Sequence, residues 1–541
     1  MEQNRFRRLG TMVDCSRGAV MNVETVKRWI DITSDLGYNT LMLYTEDTYE
    51  VDGQPYFGYL RGRYTQKELK EIDDYATEHG MELIPCIQTL AHLEAVFRWS
   101  QVYHEVQDFA DILLAENEKT YELIDAMFAT LHKCFRSRII HIGMDEAFML
   151  GRGRYQDING YQDRFDILLN HLKKVSELAR KYDFELIMWG DMFFRLLHSA
   201  DGGSYYDGNT NLPEKVSELI PDNVDLVYWD YYSRDKARYD RNIQSHLAVK
   251  DNIWFAGGLW SWTGYAPHNQ FSMEATKAAF DACIENGVKD VLLTMWGDDG
   301  AECSKFTLLP SLYYASEMAK GQNDIEAIKD GFYKKYGVSF DDFMLLDLIG
   351  TPNQNEEIVN PERYMLFNDY FLGVFDSTIE EGVSSTYISC SQKLKTLEEN
   401  KEYGYLFSTL RSLCDILAIK YELGAKTRKA YHSGEKSQLQ DLIQDYDVLL
   451  GLLDEFYGCF HTQWFKENKP NGFELHDIRI GGLIQRTKHC RERIRAFVKG
   501  EVDAMVELEE PLLDQAGNGT EFERKPTWYM SWASNAIIDV I

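Results

Sequence analysis

The stretch Ile139-Ile140-His141-Ile142-Gly143-Met144-Asp145-Glu146 decides how this chain reads. Apolar and β-branched residues that stop abruptly at two acids fit a short buried strand. Side chains alternate along a strand, so Ile140, Ile142 and Met144 are expected on one face. His141, Gly143 and Asp145 fall on the other, and Glu146 opens the loop beyond. An apolar face under helices, backed by a polar face ending in carboxylates, suits a barrel strand at a catalytic mouth. An isolated Asp-Glu pair more often caps a solvated helix, so the rest of the chain must carry the reading.

Outward from that strand the same unit repeats. Gly10 to Asp14 is strand-like, and Val23 to Leu36 has helical periodicity closed by Gly37. Thr40 to Tyr44 and Met81 to Gln88 are further strands, with helices near 66–79 and 119–135. After the 138–145 strand come Phe184 to Trp189, Val224 to Trp229, Ile253 to Ala256 and Val291 to Trp296. Eight β-then-α units in about 320 residues predict a (β/α)8 TIM barrel. A doubly wound open sheet would want a glycine-rich phosphate turn after its first strand, which Asp14-Cys15-Ser16-Arg17-Gly18 is not.

Acids fall at the expected C-terminal strand ends: Glu46, Asp145, Asp191, Asp230 and Asp298. Aromatics alternate with them, Tyr228 with Asp230 and Trp296 with Asp298, which predicts a polar pocket with aromatic walls. Past residue 335 strand patterns vanish after the loop signal Thr351-Pro352-Asn353-Gln354-Asn355. Leu406, Leu410, Leu413 and Leu417 recur at helical spacing, as do Leu439, Leu442, Tyr446, Leu449 and Leu453. A last helix is expected from Gly482 to Phe497. The expected division is a catalytic barrel over 1–335 and an all-α C-terminal domain over 336–541, through which a homodimer could form.

Composition narrows the function. The 541 residues carry 44% apolar and 27% charged side chains, which is ordinary for a globular protein. A net charge of −30 repels nucleic acid and anionic membranes, so neither is expected as a partner. Aromatics at 13%, with 33 Tyr and 11 Trp, are compatible with sugar-stacking surfaces. Nine scattered cysteines without a C-x-x-C pair read as buried thiols of a reducing compartment. With no apolar leader or spanning segment, a cytoplasmic location is expected.

His141-Ile142-Gly143-Met144-Asp145-Glu146 resembles the H-x-G-x-D-E signature of glycoside hydrolase family 20, the β-N-acetylhexosaminidases. Asp14-Cys15-Ser16-Arg17 is similar to that family's D-x-[SA]-R, and Tyr44-Thr45-Glu46-Asp47 to its acidic pair after strand two. Ile84 to His92 resembles its third-strand segment ending in histidine, although Gln88-Thr89-Leu90-Ala91-His92 lacks the usual D-x-P-G-H. Tyr228-Trp229-Asp230 and Trp296-Gly297-Asp298 resemble its Y-x-D and W-x-E elements, with Asp298 for a commoner Glu and Glu46 for a commoner Asp. In having a barrel that begins at once and a helical module after it, the chain resembles more the intracellular, single-barrel branch of the family, which includes hexosaminidase D and bacterial enzymes with a helical C-terminal domain.

The resemblance implies an exo-acting hydrolase of oligosaccharides or glycoconjugates with a terminal β-linked N-acetylglucosamine, or also N-acetylgalactosamine. It needs no cofactor and no metal. Glu146 is then the general acid and Asp145 supports a 2-acetamido group that itself attacks C1. Tyr228 is expected to hold the acetamido carbonyl. Arg17, Asp230 and Asp298 are expected on sugar hydroxyls, and His92 with Glu46 in a relay steadying Glu146. Trp189, Trp260 and Trp296 are candidates for the aromatic box, with Trp262 an alternative to Trp260. A metal-dependent hydrolase using His92, His141, Asp145 and Glu146 would want closer ligand spacing. A carbohydrate-binding protein without turnover would not need both acids.

Overall fold

A computed structural model of the chain describes residues 4–197, 205–206, 215–352 and 358–521. Eight parallel strands close in chain order into a barrel: β1 (Arg8–Asp14), β2 (Thr40–Tyr44), β3 (Glu82–Cys86), β4 (Ile139–His141), β5 (Glu185–Trp189), β6 (Val224–Trp229), β7 (Ile253–Gly258) and β8 (Asp290–Met295). All eight expected strands are present. Residues 353–355 of the expected loop lie outside the described residues.

Register fixes which side chains enter the lumen. Asp14, Tyr44, Cys86, His141 and Ile187 stand opposite one another on β1 to β5, so they share the inner face. Two residues further on, Gln88, Gly143 and Trp189 form the next layer towards the C-terminal mouth. Ile140, Ile142 and Met144 point outward and are fully buried, as their alternation predicts.

Strand β4 is shorter than expected. It ends at His141 because Gly143, Met144 and Glu146 adopt left-handed φ values of 71°, 70° and 52°. Side chains hold the turned backbone: His141 Nδ1 accepts the Gly143 N–H (3.1 Å), Gln88 Oε1 that of Met144 (3.1 Å), and Asp191 Oδ2 that of Glu146 (3.1 Å). A left-handed non-glycine residue costs about 1–3 kcal/mol and persists where its surroundings over-determine it. Three acceptors over four residues do so here.

Two compact units result: Met1–Leu259, Phe271–Trp296 and Ser311–Ile328 in one, and Trp260–Gln270, Gly297–Pro310 and Lys329–Ile541 in the other. The segments after β7 and β8 therefore group with the second unit, so the division is not one cut near residue 335. Within that unit run long helices Gly404–Ser433, Lys436–Glu467 and Phe473–Lys499, the last starting nine residues before its expected Gly482. Leu406, Leu410, Leu413, Leu417, Tyr446, Leu449 and Leu453 form its core, and Leu442 is only half-buried. No strand follows β8 among the described residues.

Candidate active site

Asp145 and Glu146 reach the mouth of the barrel at different depths, their side chains 13% and 31% exposed. His92 bridges them: its Nε2 lies 3.3 Å from Asp145 Oδ2 and 3.6 Å from Glu146 Oε2. The His92 N–H donates to Asp111 Oδ2 at 2.8 Å, which fixes the loop that carries the ring. Gln88 Nε2 donates to Asp145 Oδ1 (2.7 Å) and to the Tyr44 hydroxyl (2.8 Å). Tyr44 in turn donates to Glu46 Oε1 (3.1 Å), which Arg17 Nη2 approaches to 3.2 Å. Arg17, Glu46, His92, Asp145 and Glu146 thus belong to one constellation. A cleft of about 780 Å³ opens beside it, lined in part by Arg17, Glu46, His92 and Arg98.

Aromatic rings form the wall. Trp189 packs on His141 with centroids 4.4 Å apart and lies 6.2 Å from Trp296, against which Tyr44 stands edge-on at 4.8 Å. Burial holds the His141 imidazole near pKa 3, so it is neutral, and with Nδ1 accepting from Gly143 its proton sits on Nε2.

The two acids are driven apart electrostatically. Burial alone would raise Asp145, but the His92 charge 3.3 Å away and the hydrogen bond from Gln88 outweigh it and hold the carboxyl below its ordinary range. Glu146 is raised, by burial first and then by the Asp145 charge, although the Tyr205 hydroxyl and His92 act against this. Burial disfavours the His92 imidazolium, yet Asp145, Glu46 and Glu146 raise it to about 10. The set at neutral pH is an ionised Asp145, a cationic His92 and a Glu146 predisposed to hold a proton. Opposed pKa values in neighbouring carboxyls mark an acid beside a charge stabiliser.

Two expected site residues stand elsewhere. Val227 is in register with Trp189 and faces inward, so Tyr228 faces outward. Its buried hydroxyl donates to Asp230 Oδ2 (3.0 Å) and accepts from Asn242 Nδ2 (3.0 Å) of helix Lys236–Leu247. Asp230 also accepts from Arg238 Nε at 2.7 Å and from the Tyr232 N–H at 3.1 Å. The alternation of Tyr228 with Asp230 is real, but on the helix-covered face. The same parity brings in Trp229 and Tyr231, which stack at 5.2 Å, and the Tyr231 hydroxyl is hydrogen-bonded by Trp296 and Thr294. Register-counting from Val227 is the signal that finds Tyr231.

Trp260 and Trp262 stack at 4.3 Å after β7, and Asp298 has a φ of 35° after β8; these three lie in segments of the second unit. Sequence reading also left out Gln88, Tyr44, Tyr205 and, as a site residue, Asp191. Burial and then the Asp145 charge raise the Asp191 carboxyl to about 8. Among the described residues ten non-glycine residues have positive φ, and four of them, Glu46, His92, Glu146 and Asp298, are expected site residues.

Residues 6–249 match the glycosyl hydrolase family 20 catalytic domain, and residues 341–525 the glycoside hydrolase 20C C-terminal domain. Hexosaminidase D of Bos taurus is 27% identical over 242 residues, 43% of this chain and 63% of that protein. Hexosaminidase D of Homo sapiens is 26% identical over 225 residues, 40% and 43% of the two chains. A β-hexosaminidase of Vibrio furnissii is 28% identical over 178 residues, 26% of this chain and 29% of that one. The match therefore spans less than two thirds of each relative's length. Among the described residues no helix is long and apolar enough to cross a membrane.

Proposed function

Because this chain belongs to glycoside hydrolase family 20, we propose that it is an exo-acting β-N-acetylhexosaminidase working by substrate-assisted retention. The observation that supports this best is the depth and charge ordering of Asp145 below Glu146, with His92 between them. Glu146 gives its proton to the glycosidic oxygen as the C1–O bond breaks. The acetamido carbonyl oxygen forms the new bond to C1, and positive charge spreads into an oxazolinium ring. Ionised Asp145 accepts the acetamido N–H and stabilises that charge. Water, deprotonated by Glu146, then reopens the ring from the original face, so the β configuration is kept.

Tyr231 takes the carbonyl-holding role in this proposal, in place of Tyr228, because it shares the inner face with Trp229. Trp189, Trp229 and Trp296 wall the acetamido pocket, Arg17 reads the sugar hydroxyls, and His92 with Glu46 steadies Glu146. The substrates are oligosaccharides or glycoconjugates ending in a β-linked N-acetylhexosamine, with no nucleic acid and no membrane as partner. Nine free thiols, eight of them buried, support a cytoplasmic setting, and the helical unit is the proposed dimer surface.

The test is hydrolysis of aryl N-acetyl-β-glucosaminide and -galactosaminide beside the plain aryl β-glucoside, with the first-formed anomer read by proton NMR. Turnover confined to the N-acetyl sugars with a β product first supports the reading. Good glucoside turnover, or an α product first, overturns it.

A further inference from the structure

Gln88 lies two residues past β3 on the inner face and is fully buried. Every polar atom of its amide is engaged. Oε1 accepts the Met144 N–H, and the two N–H groups of Nε2 go to Asp145 Oδ1 and the Tyr44 hydroxyl. Only one orientation works: turned over, the amide would set an acceptor against a carboxylate and a donor against a backbone N–H. The fit is steric as well, because a Cβ at Gly143 would fall 2.0 Å from Gln88 Oε1. Through Tyr44 the amide continues to Glu46 and Arg17, so a single run Arg17–Glu46–Tyr44–Gln88–Asp145 crosses the floor of the site.

We propose that Gln88 is a positioning residue for the acetamido half of the site. Its amide fixes the plane of Asp145 and holds that group ready in its charged form, and through Tyr44 it couples Asp145 to the Glu46–Arg17 pair. The inference rests on the reading of Asp145 given above. The physical reason is that an amide supplies two donors and one acceptor without titrating. The family's usual Asp at this position, the first residue of D-x-P-G-H, would have to be protonated to donate to Asp145 and once ionised would repel it, whereas the amide donates at every pH. The titratable groups hydrogen-bonded to Gln88 are Tyr44 and Asp145, and the groups that act electrostatically on that pair are Arg17 and Glu46 from the first two strand ends, Cys86 and His92 around β3, His141 and Glu146 from β4, Asp191 after β5 and Tyr231 after β6.

The experiment uses the full chain with Gln88→Glu, Gln88→Leu and the double change Gln88→Glu with Asp145→Asn. Gln88→Glu is expected to lower kcat on an aryl N-acetylglucosaminide at least tenfold at pH 7, with KM nearly unchanged, and to regain activity as pH falls. Gln88→Leu is expected to lose kcat at every pH. Thermal unfolding of Gln88→Glu should fall further below the parent as pH rises from 4 to 8, and Asp145→Asn should remove that pH-dependent loss. A Gln88→Glu activity profile that parallels the parent, or a stability loss that Asp145→Asn leaves in place, overturns the proposal. An inactive parent would sink the glycosidase reading instead, while the unfolding cycle still tests the Gln88–Asp145 coupling.

Discussion

His92 Nε2 sits 3.3 Å from Asp145 Oδ2, a cation held against an anion at the base of the candidate site. The His92 charge pulls down both Asp145 and, more weakly, Glu146. Removing it with His92→Gln should therefore let both carboxyl pKa values rise. Because Asp145 must be ionised and Glu146 protonated, the acid and alkaline limbs of kcat/KM should both move to higher pH. An unchanged profile in an active variant would show that the contact is structural only.

Glu146→Gln should separate substrates by leaving group. Proton donation contributes about 10²–10⁴-fold, so a methyl or sugar aglycone should lose that much kcat. A dinitrophenyl aglycone, which leaves without a proton, should lose far less. Steady-state rates on both glycosides check it, and equal losses would remove Glu146 from the acid role.

Asp145→Asn should reduce kcat roughly 10²–10³-fold on every N-acetyl substrate, whatever the aglycone, because the stabilised charge lies on the acetamido group. The contrast between the two acids is the informative part. If Asp145→Asn followed the leaving group as Glu146→Gln does, the substrate would not be supplying the nucleophile.

The barrel was legible because its cause is local: apolar runs of strand length recur eight times, six of them ending in an acid, and register then follows from closure. Glu46, Asp145, Glu146 and Trp296 were legible for the same reason, since each sits at or just beyond a strand end, whereas Arg17, His92 and Trp189 came from the family resemblance. Tyr228 and Asp230 were misplaced by one residue of parity. Period-2 alternation says which residues share a face but not which face is the lumen, and here both faces of β6 are aromatic. Gln88 and Tyr44 were hidden because an uncharged side chain at a strand end carries no sign of its partners. The grouping of the segments after β7 and β8 with the helical unit comes from contacts distant in sequence, which no local pattern encodes.

Parity gives its own test. Tyr231→Phe should lower kcat about tenfold on N-acetyl substrates, the loss of one hydrogen bond, while leaving thermal stability near the parent. Tyr228→Phe should do the reverse, keeping kcat but costing about 1–3 kcal/mol by stripping a buried partner from Asp230 and Asn242. Kinetics and thermal unfolding on the two variants decide it. A kinetic defect in Tyr228→Phe alone would restore the original assignment.

Asp191 makes the stability of the barrel depend on pH in a stated direction. Its carboxyl, raised to about 8 when folded, has an ordinary value near 3.8 in the unfolded chain. Between those values the folded state holds a proton that the unfolded state lacks, so stability is full below about pH 4 and is lost as pH rises through 8. His92, raised to about 10 from an ordinary 6.5, acts in the same sense at higher pH, its contribution present below 6.5 and lost through 10. Asp191→Asn keeps an acceptor for the Glu146 N–H but cannot ionise. The variant should match the parent near pH 4 and exceed it by a few kcal/mol at pH 8, read from unfolding midpoints across that range. A parent and variant that run parallel from pH 4 to 8 would mean that Asp191 is already ionised beside Asp145, and the two carboxylates would then have to be neutralised from elsewhere.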